Sequence, residues 1–214
     1  MSEKLNNNIA VFTGVTKGIG LAGVRKTGAK EMEKKLIGQK TVDTKHCARF
    51  VQSFPINLPI EKIDLNRWVF EMTDADYRSY SKDHKMMSSF FKDGVFFMKN
   101  LENIGGDSLI QRYELKYHSP HHVQFYSSET TAYVMRWFPA TVGVPWEMRL
   151  TKTSDDTCEL TCLIGVDFPN VLLKAAWFSG LGDLFLKQHL SEEGKNFAKD
   201  IERKSIIEGG NNHD

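Results

Sequence analysis

The sequence predicts an α+β fold: a curved antiparallel sheet of about seven strands wrapped around a long C-terminal helix, with two short helices after the first strand. Two observations carry this expectation. The first is the order of elements: a strand over 45–57, a helical stretch over 58–72, a long strand-rich middle, and an amphipathic segment over 171–204. The second is the shortness of the middle connections, which forces neighbouring strands into antiparallel hairpins because a parallel crossover needs a dozen or more residues. A sheet curved around a helix encloses space, so a small-molecule binding function is expected.

From Cys47 onward, alternation of Cys47, Arg49, Val51 and Ser53 with Ala48, Phe50, Gln52 and Phe54 marks the first strand. Asn57 is placed to cap the following helix and Pro59 sits in its first turn. Ile60, Ile63, Trp68, Val69 and Met72 supply its buried face. Thr73 and Asp74 open a second short helix that ends near Ser81. Strands are then expected over 94–103, 109–118, 122–127, 131–138, 145–153 and 157–168, separated by the turn signals GGD, SPHH, SSET and SDD.

Period-two alternation assigns inner faces to Leu109, Gln111, Tyr113, Leu115 and Tyr117, and to Tyr133, Met135 and Trp137. Trp146, Met148 and Leu150 join them, as do Cys158, Leu160, Cys162, Ile164 and Val166. In the final segment Trp177, Leu181, Leu184, Phe185, Phe197 and Ile201 form a stripe that would cover the sheet. Gly180 and Gly182 each cost roughly 1 kcal/mol in a helix interior, so an irregularity is expected there.

Composition narrows the function classes. Of the 214 residues, 41% are hydrophobic and 26% charged, a balance typical of a soluble globular protein. Lysine and arginine total 28 against 27 acidic residues, so no global field favours nucleic acid. Cys47, Cys158 and Cys162 lack CxxC spacing and read as reduced buried thiols, which points to the cytoplasm. No secretory signal or integral membrane segment is expected: the most apolar stretch, 171–190, carries Lys174, Asp183 and Lys187. Residues 1–43 read as a glycine-rich then charged extension, 44–204 as the ligand-binding domain and 205–214 as a disordered tail.

The stretch FVQSFPINLPIEKIDLNRWVFEM, residues 50–72, followed by strands and a long closing helix, resembles the helix-grip (SRPBCC) superfamily that includes START lipid-transfer domains, Bet v 1-like plant proteins and bacterial polyketide cyclases. The resemblance covers about residues 44–204 and implies a fold with a cavity between sheet and helix. It carries over no catalytic motif. A hydrophobic or amphipathic small molecule is the implied partner, with a cyclase or dehydratase using the same cavity as the alternative; a protein-interaction module and an NAD(P)-binding short-chain dehydrogenase-like protein rank below these.

Three groups of candidates follow. Thr13-Gly14-Val15-Thr16-Lys17-Gly18-Ile19-Gly20 looks like the phosphate loop of short-chain dehydrogenases, but no YxxxK follows and the downstream strands are antiparallel. It reads as part of the extension, and no cofactor is expected. His118, His121 and His122 cluster in a turn without a carboxylate spaced to complete a metal site, while His46 and His84 look isolated, so no metal is expected. Polar and aromatic groups facing inward remain: Gln111, Tyr113, Tyr117, Tyr133, Met135, Trp137, Trp146, Met148, Trp177 and Leu181 are the expected cavity lining. Glu114, Arg136, Glu147 and Arg149 are expected to pair on the outer face.

Overall fold

The structure, a computed structural model, describes residues 46–134, 138–179 and 182–210. All fall in the second of two units into which the chain divides, Leu36–Asp214. The glycine-rich stretch and the charged run of the expected extension lie outside the described residues.

Seven strands form one sheet: β1 (Cys47–Ile56), β2 (His84–Lys92), β3 (Val95–Ile104), β4 (Asp107–Ser119), β5 (His122–Val134), β6 (Phe138–Lys152) and β7 (Cys158–Asp167). Their order is β1-β7-β6-β5-β4-β3-β2, antiparallel throughout. From β2 to β7 the chain is a meander, and β1 closes the far edge by pairing with β7. Helices α1 (Leu65–Phe70) and α2 (Asp74–Tyr80) connect the two edge strands, and α3 (Val171–Ser179) and α4 (Gly182–Gly210) follow the sheet. This is the helix-grip arrangement.

Local chemistry explains the hairpins. Asp93 and Gly94 take φ of 52° and 80°, and Gly105 and Gly106 take 62° and 92°. Two consecutive left-handed residues give the two-residue turn whose twist matches the strands it joins. At Gly105 a Cβ would also meet the Phe185 ring at 2.6 Å.

Several expectations are corrected. The helix expected from Leu58 is a single turn at Ile60–Lys62 followed by α1, whose cap is Asp64: its carboxylate accepts from the Asn66 and Arg67 amides. Thr73 caps α2 as expected, in a capping box with Asp76. β2 went unread because it is an edge strand in which only His84 and Met87 are buried, so it carries no alternation.

The two strands expected over 122–127 and 131–138 form one strand, β5 (His122–Val134), with SSET as a bulge rather than a turn. There the Ser127 hydroxyl accepts from the Arg112 amide at 2.8 Å and from Thr130 Oγ1 at 2.7 Å, replacing ladder bonds across the irregularity. The helix α4 includes residues 205–210, which were expected in a disordered tail.

Bulges also overturn two face assignments. Leu115 pairs with Phe125 but Tyr117 pairs with Gln124, so the inserted residue turns Tyr117 outward, 47% exposed and ring to ring with His122 at 4.9 Å. The Ser127/Thr130 shift makes Ala132 the inward residue, opposite Leu109, and leaves Tyr133 with Ser108 on the outer face.

Helix α4 lies over the concave face, burying Leu186, Leu190, Phe197, Ala198 and Ile201. Leu184, expected in this stripe, is exposed, because α3 and α4 are separate helices and the phase of a single continuous helix is lost between them. Phe197 anchors the helix: its ring centroid lies 5.2 Å from Trp68, 4.9 Å from Tyr80 and 5.8 Å from Trp146. Gly194 permits the approach to β1, since a Cβ there would stand 2.2 Å from Phe54. Cys158, Leu160, Cys162, Ile164 and Val166 form a continuous inner face on β7, as expected.

Candidate functional site

The concave side of β2, β3 and β4 is polar where an apolar wall would be expected. Register places His84 directly opposite Glu102, and Asn100 opposite both Met87 and Gln111. Helix α4 faces them with His189 and Glu193, one turn apart on the same side of the helix. His84 and His189 side chains are 0% exposed, and those of Glu102 and Glu193 are 4% and 5% exposed.

Each group is oriented by a neighbour. Helix α2 ends at Tyr80, which leaves the Tyr77 carbonyl without a helical partner, and His84 Nδ1–H donates to it at 2.6 Å. That bond fixes the tautomer and turns Nε2 towards Glu193 Oε1, 3.2 Å away but out of line for a ring N–H bond. The Tyr77 ring stacks on His84 at 3.9 Å, while its hydroxyl donates to Glu102 Oε1. Gln111 Nε2 donates to Glu102 Oε2 at 3.2 Å. His189 Nδ1 lies 3.4 Å from Ser81 Oγ and 3.7 Å from Asp83 Oδ2. Its Nε2 faces Glu102 Oε2 at 3.7 Å and Glu193 Oε2 at 3.9 Å.

The electrostatics follow from this packing. Burial pushes His189 down, but Asp83 and the charges of Glu193 and Glu102 outweigh it and raise the imidazole to about 9. At 3.7 Å the Asp83 contact is one of charge more than a formed hydrogen bond. Burial raises Glu193, and the His84 contact with the His189 charge brings it below the ordinary carboxylate value. Burial, then the Glu102 and Glu193 charges, push the Tyr77 and Tyr113 phenols well up, so both remain protonated.

Beside this cluster stands an aromatic wall. Tyr113 lies 5.9 Å from Trp146 and 6.2 Å from Phe125, and Phe125 lies 6.1 Å from Phe96. Of the residues expected to line a cavity, Gln111, Tyr113, Trp146 and Met148 are brought together here, each at most 5% exposed. Trp177 sits apart on α3, half-buried against Phe168 and bonded through Nε1 to Asp183. Tyr117 and Tyr133 face outward, and Met135, Trp137 and Leu181 lie outside the described residues.

Sequence reasoning missed His84, Glu102, His189, Glu193 and Tyr77. The readable signal was His189-x3-Glu193, two polar residues at helical spacing inside the segment read as an amphipathic helix. The histidines of the β4–β5 turn go elsewhere: His118 packs on Phe70, and His122 Nε2 lies 2.7 Å from Glu147, which also accepts from Arg149 at 3.0 Å on the outer face.

The seven-stranded antiparallel sheet with a long helix over one face is the helix-grip fold. Among solved structures, the chain is similar to the Zhui aromatase/cyclase of Streptomyces sp. R1128 at 10% identity and a TM-score of 0.53, over 74% of this chain and 96% of that one. The protein TTHA0849 of Thermus thermophilus aligns at 11% identity and TM-score 0.51, covering 75% and 98%. The di-domain aromatase/cyclase StfQ of the steffimycin biosynthetic pathway aligns at 9% and 0.52, covering 84% of this chain and 56% of that one. At such identities the likeness is one of fold. No protein-family model and no curated protein matches the sequence.

Proposed function

We propose that the protein binds a hydrophobic or amphipathic small molecule between the sheet and α4, with the ligand's polar end towards Asn100, Gln111 and Trp146. One observation carries this reading. Asn100 Oδ1, Gln111 Oε1 and Trp146 Nε1 are buried without a hydrogen-bond partner among the described residues, beside an aromatic wall. A buried polar atom left unbonded costs about 1–3 kcal/mol, so three on one surface favour a ligand that bonds to them. Tyr113 and Met148 would contact its apolar part. The solved aromatase/cyclases supply the precedent of the fold.

A cyclase or dehydratase acting in the same site is the second reading, favoured by the hydroxyl and imidazole groups of Tyr77, Tyr113 and His189 beside that wall. A cytoplasmic location accords with three cysteines that form no disulfide among the described residues. Among the described residues no helix is long and apolar enough to cross a membrane.

Native mass spectrometry of freshly purified protein, with titration of an apolar fluorescent probe, tests the reading. Expected are a stoichiometric organic adduct, or probe binding that Gln111→Ala and Trp146→Phe each weaken about tenfold. A folded protein that carries no adduct and ignores the probe overturns it.

A further inference from the structure

We propose that His84, Glu102, His189 and Glu193 form a buried site for one first-row divalent transition-metal ion, with zinc as the best match to two imidazoles and two carboxylates. The inference is independent of the small-molecule reading, because it rests on different atoms.

Convergence is the first argument. Ligand atoms of His84, Glu102 and His189 all lie within 4.8 Å of one another. Contacts across the group are 3.2 Å for His84 Nε2 to Glu193 Oε1, 3.7 Å for His189 Nε2 to Glu102 Oε2 and 3.9 Å for His189 Nε2 to Glu193 Oε2. Four donors around an ion with bonds of about 2.1 Å stand about 3.4 Å apart, so the trio of His84, Glu102 and His189 closes on an ion by side-chain adjustment, and Glu193, in contact with both histidines, turns one oxygen in as the fourth donor. Three of the facing atoms, His84 Nε2, His189 Nε2 and Glu193 Oε2, are buried without a hydrogen bond among the described residues.

The second argument is the outer ring of contacts. A ligating imidazole donates its other N–H to a carbonyl or carboxylate, and ligating carboxylates are themselves hydrogen-bonded. Here His84 Nδ1–H reaches the Tyr77 carbonyl, and His189 Nδ1 faces Ser81 and Asp83. Glu102 is held by Tyr77 and Gln111.

Charge is the third. Two carboxylates and two imidazoles meet in a fully buried space, where the carboxylates need positive charge beside them, from a protonated ring or from a metal ion. One divalent ion between two neutral imidazoles balances both carboxylates and leaves the site with no net charge.

The full-length protein, stripped with a chelator, is titrated with Zn2+ and separately with Co2+ while absorbance and thermal midpoint are followed. One equivalent is expected to bind, raising the midpoint, and Co2+ should give the visible bands of a four-coordinate ion. His84→Gln and His189→Gln should each weaken binding about a hundredfold or more, with circular dichroism confirming the fold. Asp83→Asn serves if those variants misfold: its side chain is 23% exposed, and through His189 it should cost about tenfold. A folded wild-type protein with neither cobalt bands nor a midpoint shift overturns the site. So does undiminished affinity in folded His84→Gln or His189→Gln, which would place the ion on exposed histidines.

Discussion

Asp200→Asn is expected to destabilise the protein at neutral pH by about 1–2 kcal/mol, with a deficit that fades in acid. Asp200 lies on α4 with its side chain only 10% exposed. Its Oδ2 accepts from Trp68 Nε1 at 2.9 Å and Tyr80 OH at 2.7 Å, and lies 3.0 Å from Lys204 Nζ. Arg203 donates to Oδ1 at 2.5 Å. Thus one carboxylate ties α1 and α2 to the last helix behind Phe197.

Burial pushes this carboxyl up, but the bonds from Tyr80, Trp68, Arg203 and Lys204 outweigh it and hold it at about 2 rather than the ordinary 3.8. That difference corresponds to roughly 2 kcal/mol. Because Arg203 is mostly in water, screening trims the figure towards 1 kcal/mol. A carboxyl depressed in the folded state contributes its full stability above the unfolded value and loses it as pH falls through the folded one. The gap between wild type and Asp200→Asn, measured as urea unfolding free energy at constant slope, should therefore hold from pH 7 to about 4.5 and narrow below about 4. Asp200→Ala, which leaves the Trp68 and Tyr80 donors unbonded, should cost more, about 2–5 kcal/mol. An Asp200→Asn protein as stable as wild type at pH 7, or a gap that does not change in acid, would refute the reasoning.

Gly194→Ala tests the seat of α4 on β1. Helix propensity alone favours the change by about 1 kcal/mol, but the new Cβ meets the buried Phe54 ring at 2.2 Å, so a net loss of about 1–2 kcal/mol is expected in chemical denaturation. A gain in stability would mean the ring yields freely. Thiol labelling at pH 8 tests the interior of β7: burial pushes Cys158 up to about 11 and raises Cys162 well above the ordinary thiol value, and both are at most 1% exposed. Only the half-buried Cys47 should react in the native protein and all three in urea; rapid labelling of two or more without denaturant would contradict the packing.

Period-two alternation and turn chemistry determined much of the sheet from the sequence alone, because both are local. Cys158 to Val166 could be assigned to the core from their own neighbours, and Thr73 could be recognised as a cap from the residues beside it. The antiparallel order followed from connection length. What local pattern could not carry was the effect of a single inserted residue. The bulges near Lys116 and at Ser127–Thr130 turn Tyr117 and Tyr133 to the outer face, and their cause is a contact between strands, such as the Arg112 amide reaching Ser127.

The buried cluster lay further out of reach. His84 and Glu102 stand on different strands, His189 and Glu193 on a helix far along the chain, and Tyr77 on another helix again. No spacing in the sequence joins them; only the register of β2 on β3 and the seating of α4 over the sheet bring their charges within a few ångströms. Secondary structure is written in short-range patterns that one segment carries by itself, whereas a site assembled from four elements exists only once packing has closed them on one another.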